Sequence, residues 1–319
     1  MGFQPDLIWC QGRSTGESSI TDAMRGVANS LFSEGDDDQD TGGNLTAFTS
    51  DGFKTADSNR VNQAGRTIAA WNWLGGNATS GTGDFQQGSI ASTCSRNTTA
   101  GFSIVKYTGI DGAGTVGHGL GVVPDVIILK NSTKGAGESW QVYHSKNTSA
   151  PETDGLLLNT YGGTTDSANR WNDTAPTADV FSVANDDSTN DESETHVAYV
   201  FKEIAGYSKF GSYTGEGSTD GPFLYCGFRP AWVMLKRTSS NSNWNIFDAK
   251  RDAFNVMDTR IRADDNANEA NDDENLDFVS NGIKLRYGSE FNGNDSTNIF
   301  FAFAESPFVT STGTPTNAR

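Results

Sequence analysis

The sequence is poor in cysteine, histidine and basic residues. Its 319 residues include three cysteines, Cys10, Cys94 and Cys226, and three histidines. The cysteines are too few and too widely spaced for a disulfide framework or a Cys-x-x-Cys metal site, so we interpret them as small apolar residues. Lysine and arginine number 23 against 40 acidic residues, a net charge of −17. This acidity argues against a nucleic-acid partner and against docking on an anionic membrane.

Long hydrophobic runs are also missing. The longest is six residues, Ile299–Ala304, whereas a membrane-spanning helix needs about 20. The sequence therefore predicts no membrane insertion. The start, Met1–Asp6, has no basic or apolar leader pattern, so we expect neither export nor lipidation.

Turn-forming residues are abundant, by contrast. Glycine occurs 36 times, and Asn, Asp, Ser and Thr separate short runs of Val, Ile, Phe, Trp and Tyr. This punctuation is typical of antiparallel β-structure, and the predicted fold class is all-β. One segment, Ser19–Phe32, has roughly helical apolar spacing interrupted by Gly26, and there a helix competes with a strand and loop.

The chain repeats itself. The strand Pro5–Trp9 returns as Pro124–Lys130 and as Pro230–Lys236, at offsets of 119 and 106 residues. Each copy ends on a strand with large side chains at every second position, which places an aromatic pair on one face. These inward pairs are Trp71 and Trp73, Tyr199 and Phe201, and Phe301 and Phe303. Trp140 and Trp244 start equivalent strands and are predicted to be core residues.

We divide the chain into three tandem antiparallel β-sandwich domains, jelly-roll or immunoglobulin-like, at residues 1–98, 99–205 and 206–308, with a flexible tail at 309–319. A rod and a compact triangle both fit this series. The strand Gly101–Gly109, which comes before Pro124–Lys130, recurs as Gly206–Gly215 with one extra residue, which predicts a bulge beside Gly211. The first copy lacks that strand, so we expect its sheet edge to need a partner.

Two glycine motifs are interpreted as turns. Gly12–Gly16 matches the Gly-x-Ser-x-Gly pattern of hydrolases, but no candidate triad accompanies Ser14. Gly112–Gly117 matches a dinucleotide-binding pattern, but a strand rather than a helix follows it. His118, between glycines, is expected to bond to nearby backbone. The sequence therefore predicts no catalytic residues and no enzyme activity.

Acidic clusters occur in every copy, at 36–40, 186–194 and 264–274. We interpret them as solvated turns, with calcium as the alternative because Asp and Asn supply the oxygens that it prefers. No other metal or cofactor is expected. The best ligand-binding candidate is Trp171, which lies in a polar stretch with Asn169, Asn172 and Asp173. An exposed indole ring stacks on sugars and the polar neighbours bind hydroxyls, while core capping is the competing interpretation for Trp171.

Several strings carry a resemblance to a known module. They are Gly101–Gly109, Val116–Gly121, Pro124–Asn131, Gly206–Gly215 and Gly227–Arg237. These strings resemble the repeated module of structural proteins in tailed bacteriophages, especially marine ones, where it is usually labelled tail fibre or uncharacterised virion protein. The resemblance covers nearly the whole chain and brings no established catalytic residues.

The resemblance implies a non-enzymatic protein on the virion surface, most readily a tail-fibre or receptor-binding component that recognises host-surface glycans. The expected partners are other virion proteins of the tail or capsid, and unpaired strand edges favour a homo-oligomer, with a trimer preferred. Family fibres often carry an N-terminal anchor, whereas the first repeat here starts by residue 5. That difference keeps a capsid decoration protein as the first alternative and a carbohydrate-binding or carbohydrate-active protein as the second.

Overall fold

The computed structural model of the protein describes residues 2–76 and 87–305, apart from the side chains of residues 272–274. The fold is nearly all β, with 42% strand and 5% helix, and every pairing between named strands is antiparallel. This confirms the predicted fold class. In the described part of the chain, no helix has the length and apolar character needed to cross a membrane. The predicted tail, 309–319, lies outside the described residues.

The elements follow the repeats. The first repeat contains β1 (Leu7–Gly12), β2 (Ser18–Asp22), β3 (Ser30–Leu31), β4 (Leu45–Thr49), β5 (Gly52–Thr55) and β6 (Ile68–Trp73). The second contains β7 (Ser92–Asn97), β8 (Phe102–Thr108), β9 (Gly114–Gly117), β10 (Val126–Asn131), β11 (Gln141–His144), β12 (Asp154–Gly155), β13 (Thr165–Asp166), α1 (Ala168–Trp171), β14 (Val180–Val183), α2 (Asp187–Asn190) and β15 (Thr195–Phe201). The third contains β16 (Ser208–Thr214), β17 (Phe223–Tyr225), β18 (Pro230–Arg237), β19 (Asn245–Asp248), β20 (Met257–Arg262), β21 (Ala270–Val279), β22 (Gly282–Leu285) and β23 (Thr297–Ala304). Single 3-10 turns lie at Pro151–Thr153 and Glu290–Asn292.

Each repeat places the strand that starts at its Pro string beside its closing strand in one sheet. These Pro-string strands are β1, β10 and β18, and the closing strands are β6, β15 and β23. The orders are β3-β2-β1-β6, then β11-β10-β15-β8-β7, and then β16-β23-β18-β19 continuing into β20-β21-β22-β17. The register is the same in all three sheets, because the hydrophobic alternation of paired strands must match across the ladder. The equivalent pairs are Leu7 with Trp73, Val126 with Phe201, and Trp232 with Phe303.

The inner faces of the three sheets meet in one hydrophobic cluster. Its buried members come from every repeat and include Trp9, Ile128, Met234 and the predicted inward residues Tyr199 and Phe301. The prediction that each closing strand aims aromatic side chains inward is confirmed. The repeats therefore form a compact body around a shared centre, not a rod. An apolar cavity of about 30 Å³ remains between their rings.

Each repeat also has an outer layer with a hydrophobic cluster of its own. In the first repeat the hairpin β4-β5 covers Ile8 and Cys10 on the outer face of β1. In the second repeat β9 and β14 cover the outer face of β10 and β15. In the third repeat the strands β20, β21, β22 and β17 continue the sheet and fold over its outer face. The inner strands β1, β10 and β15 are therefore buried on both faces, which explains their apolar runs.

Backbone hydrogen bonds join neighbouring repeats at equivalent positions. In each repeat, the carbonyl of the residue directly after the Pro-string strand accepts from a backbone N–H of another repeat. These residues are 132 after β10, 238 after β18 and 13 after β1. The three bonds are Gln39 N to Ser132 O at 2.9 Å, Thr164 N to Thr238 O at 2.8 Å, and Glu269 N to Arg13 O at 2.7 Å. Because first joins second, second joins third and third joins first, the repeats close head to tail. We call this arrangement the ring.

Large side chains seal two of the three interfaces of the ring. The indole Nε1 of Trp140 donates to Phe32 O in the first repeat, and that of Trp244 donates to Leu157 O in the second, both at 2.8 Å. Both side chains are fully buried, as predicted. The first repeat has Ser18 at the equivalent place. There the turn at Gly16 contacts the backbone of Asn266 directly, and a Cβ at Gly16 would lie about 2.1 Å from it.

Ser19–Phe32 follows the strand-and-loop alternative, because it holds residues 19–22 of β2 and all of β3 with a loop between them. One local prediction needs correction. The register of β16 with β23 is continuous, so the bulge predicted beside Gly211 is wrong; Gly211 instead leaves room for the Phe300 ring. An irregularity occurs between Pro230 and Trp232. β7, which precedes residue 99, pairs with β8 of the second repeat.

Candidate functional site

Trp171 is a core residue. It ends the single turn α1, is 2% exposed and packs edge-on against Tyr143 with ring centroids 5.9 Å apart. Its ring therefore has no face open to a sugar, and the prediction of a stacking platform there is corrected. The sequence concealed this burial because one helical turn in a polar stretch turns a single side chain inward and leaves no periodic signal.

The polar neighbours of Trp171 do lie at the surface. Asn169, Asn172 and Asp173 line a cleft of about 510 Å³ together with Asp111 and Asn185. The backbone of Asn172, Asp173 and Asp111 is left-handed, with φ of 54°, 44° and 49°, a conformation that Asn and Asp tolerate better than other residues with side chains. The turns therefore hold amide and carboxylate groups around one opening. Such groups bind hydroxyl-rich ligands by hydrogen bonds.

The acidic loop at 186–194 makes several contacts within the protein. Asp186 caps α2 by accepting from Ser188 N at 3.0 Å. Asp187 and Asp191 both contact the Lys134 ammonium, and these hydrogen bonds raise the pKa of Lys134. In residues 2–76 and 87–305, no three His, Cys, Asp or Glu side chains come together in a way that would hold a metal ion. Calcium, the alternative interpretation of these loops, gains no support from the side chains described.

All three histidines are buried. His118 interacts through Nε2 with Thr177 O and accepts from Leu120 N through Nδ1, each at 3.2 Å, which confirms its predicted bonding to backbone. Burial lowers the pKa of His118, and it lowers the pKa of His144 and His196 to about 4. Neutral imidazoles enclosed in this way are suited to packing.

Both glycine motifs have structural roles. The Gly12–Gly16 turn forms the contact of the first repeat with the third, and the side-chain amide of Gln11 donates to Gly16 O. In the second motif Gly114–Gly117 is the strand β9, paired with β14. The first motif is a turn, as predicted, whereas most of the second motif is a strand and not the predicted turn. No helix directly follows either motif in the described residues.

A pair of ionic contacts at the ring interfaces was missed by the sequence analysis. In the first repeat Arg25 donates to the Asp22 carboxylate at 2.6 Å, and Tyr199 of the second repeat donates to Asp22 at 2.8 Å. In the third repeat Arg251 binds Asp248 in the same geometry, and Trp71 of the first repeat donates to Asp248 at 3.2 Å. The signal was available, because an Asp-x-x-Arg string follows the matching strand in two of the three copies.

Comparison with known proteins adds the family but no activity. No curated protein and no solved structure matches the chain. A family model described as a domain of unknown function, DUF7483, matches residues 1–307, which include the whole ring. The chain belongs to the DUF7483 family.

Proposed function

We propose that this protein is a non-enzymatic structural component of the surface of a tailed-bacteriophage particle, and that it serves in a tail fibre or receptor-binding appendage. The ring carries this proposal: three resembling repeats are closed around one apolar centre, and the histidines are buried within it. The large acid excess suits a crowded surface, since net charge keeps neighbouring copies soluble. We also infer that each repeat is a modified antiparallel β-sandwich with an inner sheet and a smaller outer layer.

Host-surface glycan is the proposed ligand, and the cleft beside Trp171 is its proposed site. Asn169, Asn172 and Asp173 supply hydrogen-bonding groups there. Replacing Asn172 and Asp173 together by Ala is expected to lower glycan binding at least about tenfold on an array of bacterial surface polysaccharides, since each lost hydrogen bond costs roughly 1 kcal/mol. Asn294→Ala, an exposed change in the third repeat, is the control. Equal array signals for all three proteins would contradict this site.

Capsid decoration is the alternative, and the internal threefold arrangement favours it. A ring of three equivalent repeats presents, in one chain, the layout of a threefold site on a shell. A homotrimer of this chain stays a separate prediction. Quantitative mass spectrometry of purified particles separates the two roles, because a fibre is expected in tens of copies and a decoration protein in hundreds. Immunogold labelling on the tail would support the fibre, and labelling across the head would support decoration.

A further inference from the structure

The outer edge of β6 is a place where the first central sheet differs from the other two. In the second sheet the closing strand β15 pairs with β8, and in the third sheet β23 pairs with β16, both antiparallel. Within residues 2–76 and 87–305, no strand pairs with the corresponding side of β6. We call this open position, beside Ile68–Trp73, the β6 edge.

The backbone of β6 is oriented for a further strand. Arg13 N donates to Thr67 O at 2.8 Å, so Thr67 and the residues of the same parity direct their backbone groups toward β1. Ile68, Ala70 and Asn72 therefore direct theirs toward the β6 edge. The side-chain amide of Asn72 donates to Ala70 O at 3.2 Å. The Ala70 carbonyl therefore has a partner from its own strand.

The β6 edge also has none of the usual protection against pairing. The strand reads Ile-Ala-Ala-Trp-Asn-Trp, without charge or proline. Edge strands are normally guarded by such residues because they otherwise recruit other chains. Among the other sheets, the edge strand β7 carries Arg96 and the edge strand β16 carries Lys209.

The absence of a strand beside β6 in the described residues is also reflected in the burial of Trp71. Trp71 is only half-buried, whereas the equivalent Tyr199 and Phe301 are each 2% exposed. In the second sheet Ile104 of β8 lies opposite Tyr199, and in the third Phe210 of β16 lies opposite Phe301 with ring centroids 5.9 Å apart. A strand at the β6 edge would give Trp71 the same kind of cover.

We propose that the β6 edge binds an extended segment of a different polypeptide as an added antiparallel strand. β8 and β16 show what fits: about seven residues, antiparallel to the closing strand, with an apolar side chain toward the shared centre. In a second copy of this chain both of those strands are already paired, so a second copy cannot donate either of them, and the occupant we propose is a different protein. Main-chain hydrogen bonds supply affinity in this mode, and alternate side chains supply specificity. The inference does not depend on the proposed virion function.

The test uses the full chain and a synthetic peptide with the sequence of residues 101–109. We expect saturable binding at one site by calorimetry, together with slowed hydrogen exchange at the Ala70 and Asn72 amides. A peptide carrying Phe102→Asp and Ile104→Asp should bind at least about tenfold more weakly. In the protein, Ala70→Pro removes an N–H at the β6 edge and should abolish binding, whereas Ala70→Thr keeps that N–H and should bind normally.

Four results would overturn the proposal. They are no binding by the folded wild type, equal binding of the two peptides, undiminished binding by a folded Ala70→Pro variant, and wild-type self-association through protected β6 amides. A further variant replaces residues 77–86 with a short Gly-Ser linker. If the peptide bound only to that variant, the occupant would be this chain's own segment, and the proposal of a foreign strand would be wrong.

Discussion

Two interfaces of the ring differ in chemistry at one equivalent position. The interface between the first and second repeats has a buried ionic contact there, and the interface between the second and third has an aromatic contact. Asp22 lies opposite Leu7 at the start of β1, and His144 lies opposite the equivalent Val126 at the start of β10. Asp22 is held by the buried Arg25 guanidinium and by the Tyr199 hydroxyl. His144 instead packs edge-on against Phe301, with ring centroids 5.0 Å apart.

The backbone at these two interfaces is nevertheless the same. The bond from Gln39 N to Ser132 O has its equivalent in the bond from Thr164 N to Thr238 O. Strand register and main-chain hydrogen bonds therefore define the geometry of the ring, and side chains at its interfaces vary provided that each buried group is satisfied. The interfaces should consequently respond differently to mutation and to pH.

The largest effect is expected from Arg25→Ala. The side chains of Arg25 and Asp22 are 2% and 0% exposed, so removing the cation leaves a buried carboxylate without its charge partner. The free energy of unfolding should fall by about 3–5 kcal/mol, measured by urea denaturation. Asn147→Ala changes the equivalent position of the second repeat, where Asn147 bonds to Asp154 at 2.9 Å, and should cost about 1 kcal/mol. Equal losses would contradict the difference between the interfaces.

A smaller effect is expected from acid at His144. Burial lowers the pKa of His144 to about 4 from 6.5, although Asp125 raises it. Between these pH values the folded state binds fewer protons than the unfolded state, so the free energy of unfolding falls as the pH falls. His144→Gln should remove about 2 kcal/mol of this acid-induced loss.

The measurement for His144 is urea denaturation of both proteins at pH 7 and pH 4. At pH 7 the imidazole is neutral, and the glutamine variant serves there as its own reference for packing. Other groups, including Asp6 with a pKa raised by burial to about 6, titrate in both proteins and cancel in the comparison. An identical change in stability between the two pH values would show that folding does not shift the pKa of His144, and would contradict this prediction.

The smallest effect is expected at the third interface. Arg13 pairs with Glu269 at 2.7 Å, with side chains 33% and 14% exposed. Arg13→Ala should cost about 1 kcal/mol at low ionic strength and less in 1 M salt, because solvent screens a pair of this exposure. Arg262→Ala breaks a similarly exposed pair inside the third repeat and is the control. A loss unaffected by salt would indicate packing rather than charge.

Much of the inner architecture could be predicted from the sequence, because it depends on local alternation. The recurrence of the Pro5–Trp9 string located β1, β10 and β18, and period-two spacing placed Trp71 and Trp73 on the core face. The candidate site fared worse. Asn169, Asn172 and Asp173 do share a cleft, but Trp171 lies beneath it, because one turn of helix carries no periodicity to reveal which way its side chain points.

Contacts between distant segments were beyond sequence reasoning. Arg25 and Tyr199 are 174 residues apart, and their hydrogen bond exists only because two repeats meet. The segment Ser19–Phe32 looked partly helical, yet it forms β2 and β3 because β1 offers a strand edge for pairing. Tertiary pairing overrides such a weak local preference.

The amino-acid sequence alone determined the strand class, the threefold repetition and the face of each closing strand, since these follow from side-chain alternation and turn chemistry along the chain. Tertiary structure alone decided that the three inner faces share one centre and that the ring closes through its first and third repeats. The physical reason is that burial and hydrogen bonding between repeats depend on which surfaces meet, and no local pattern records that.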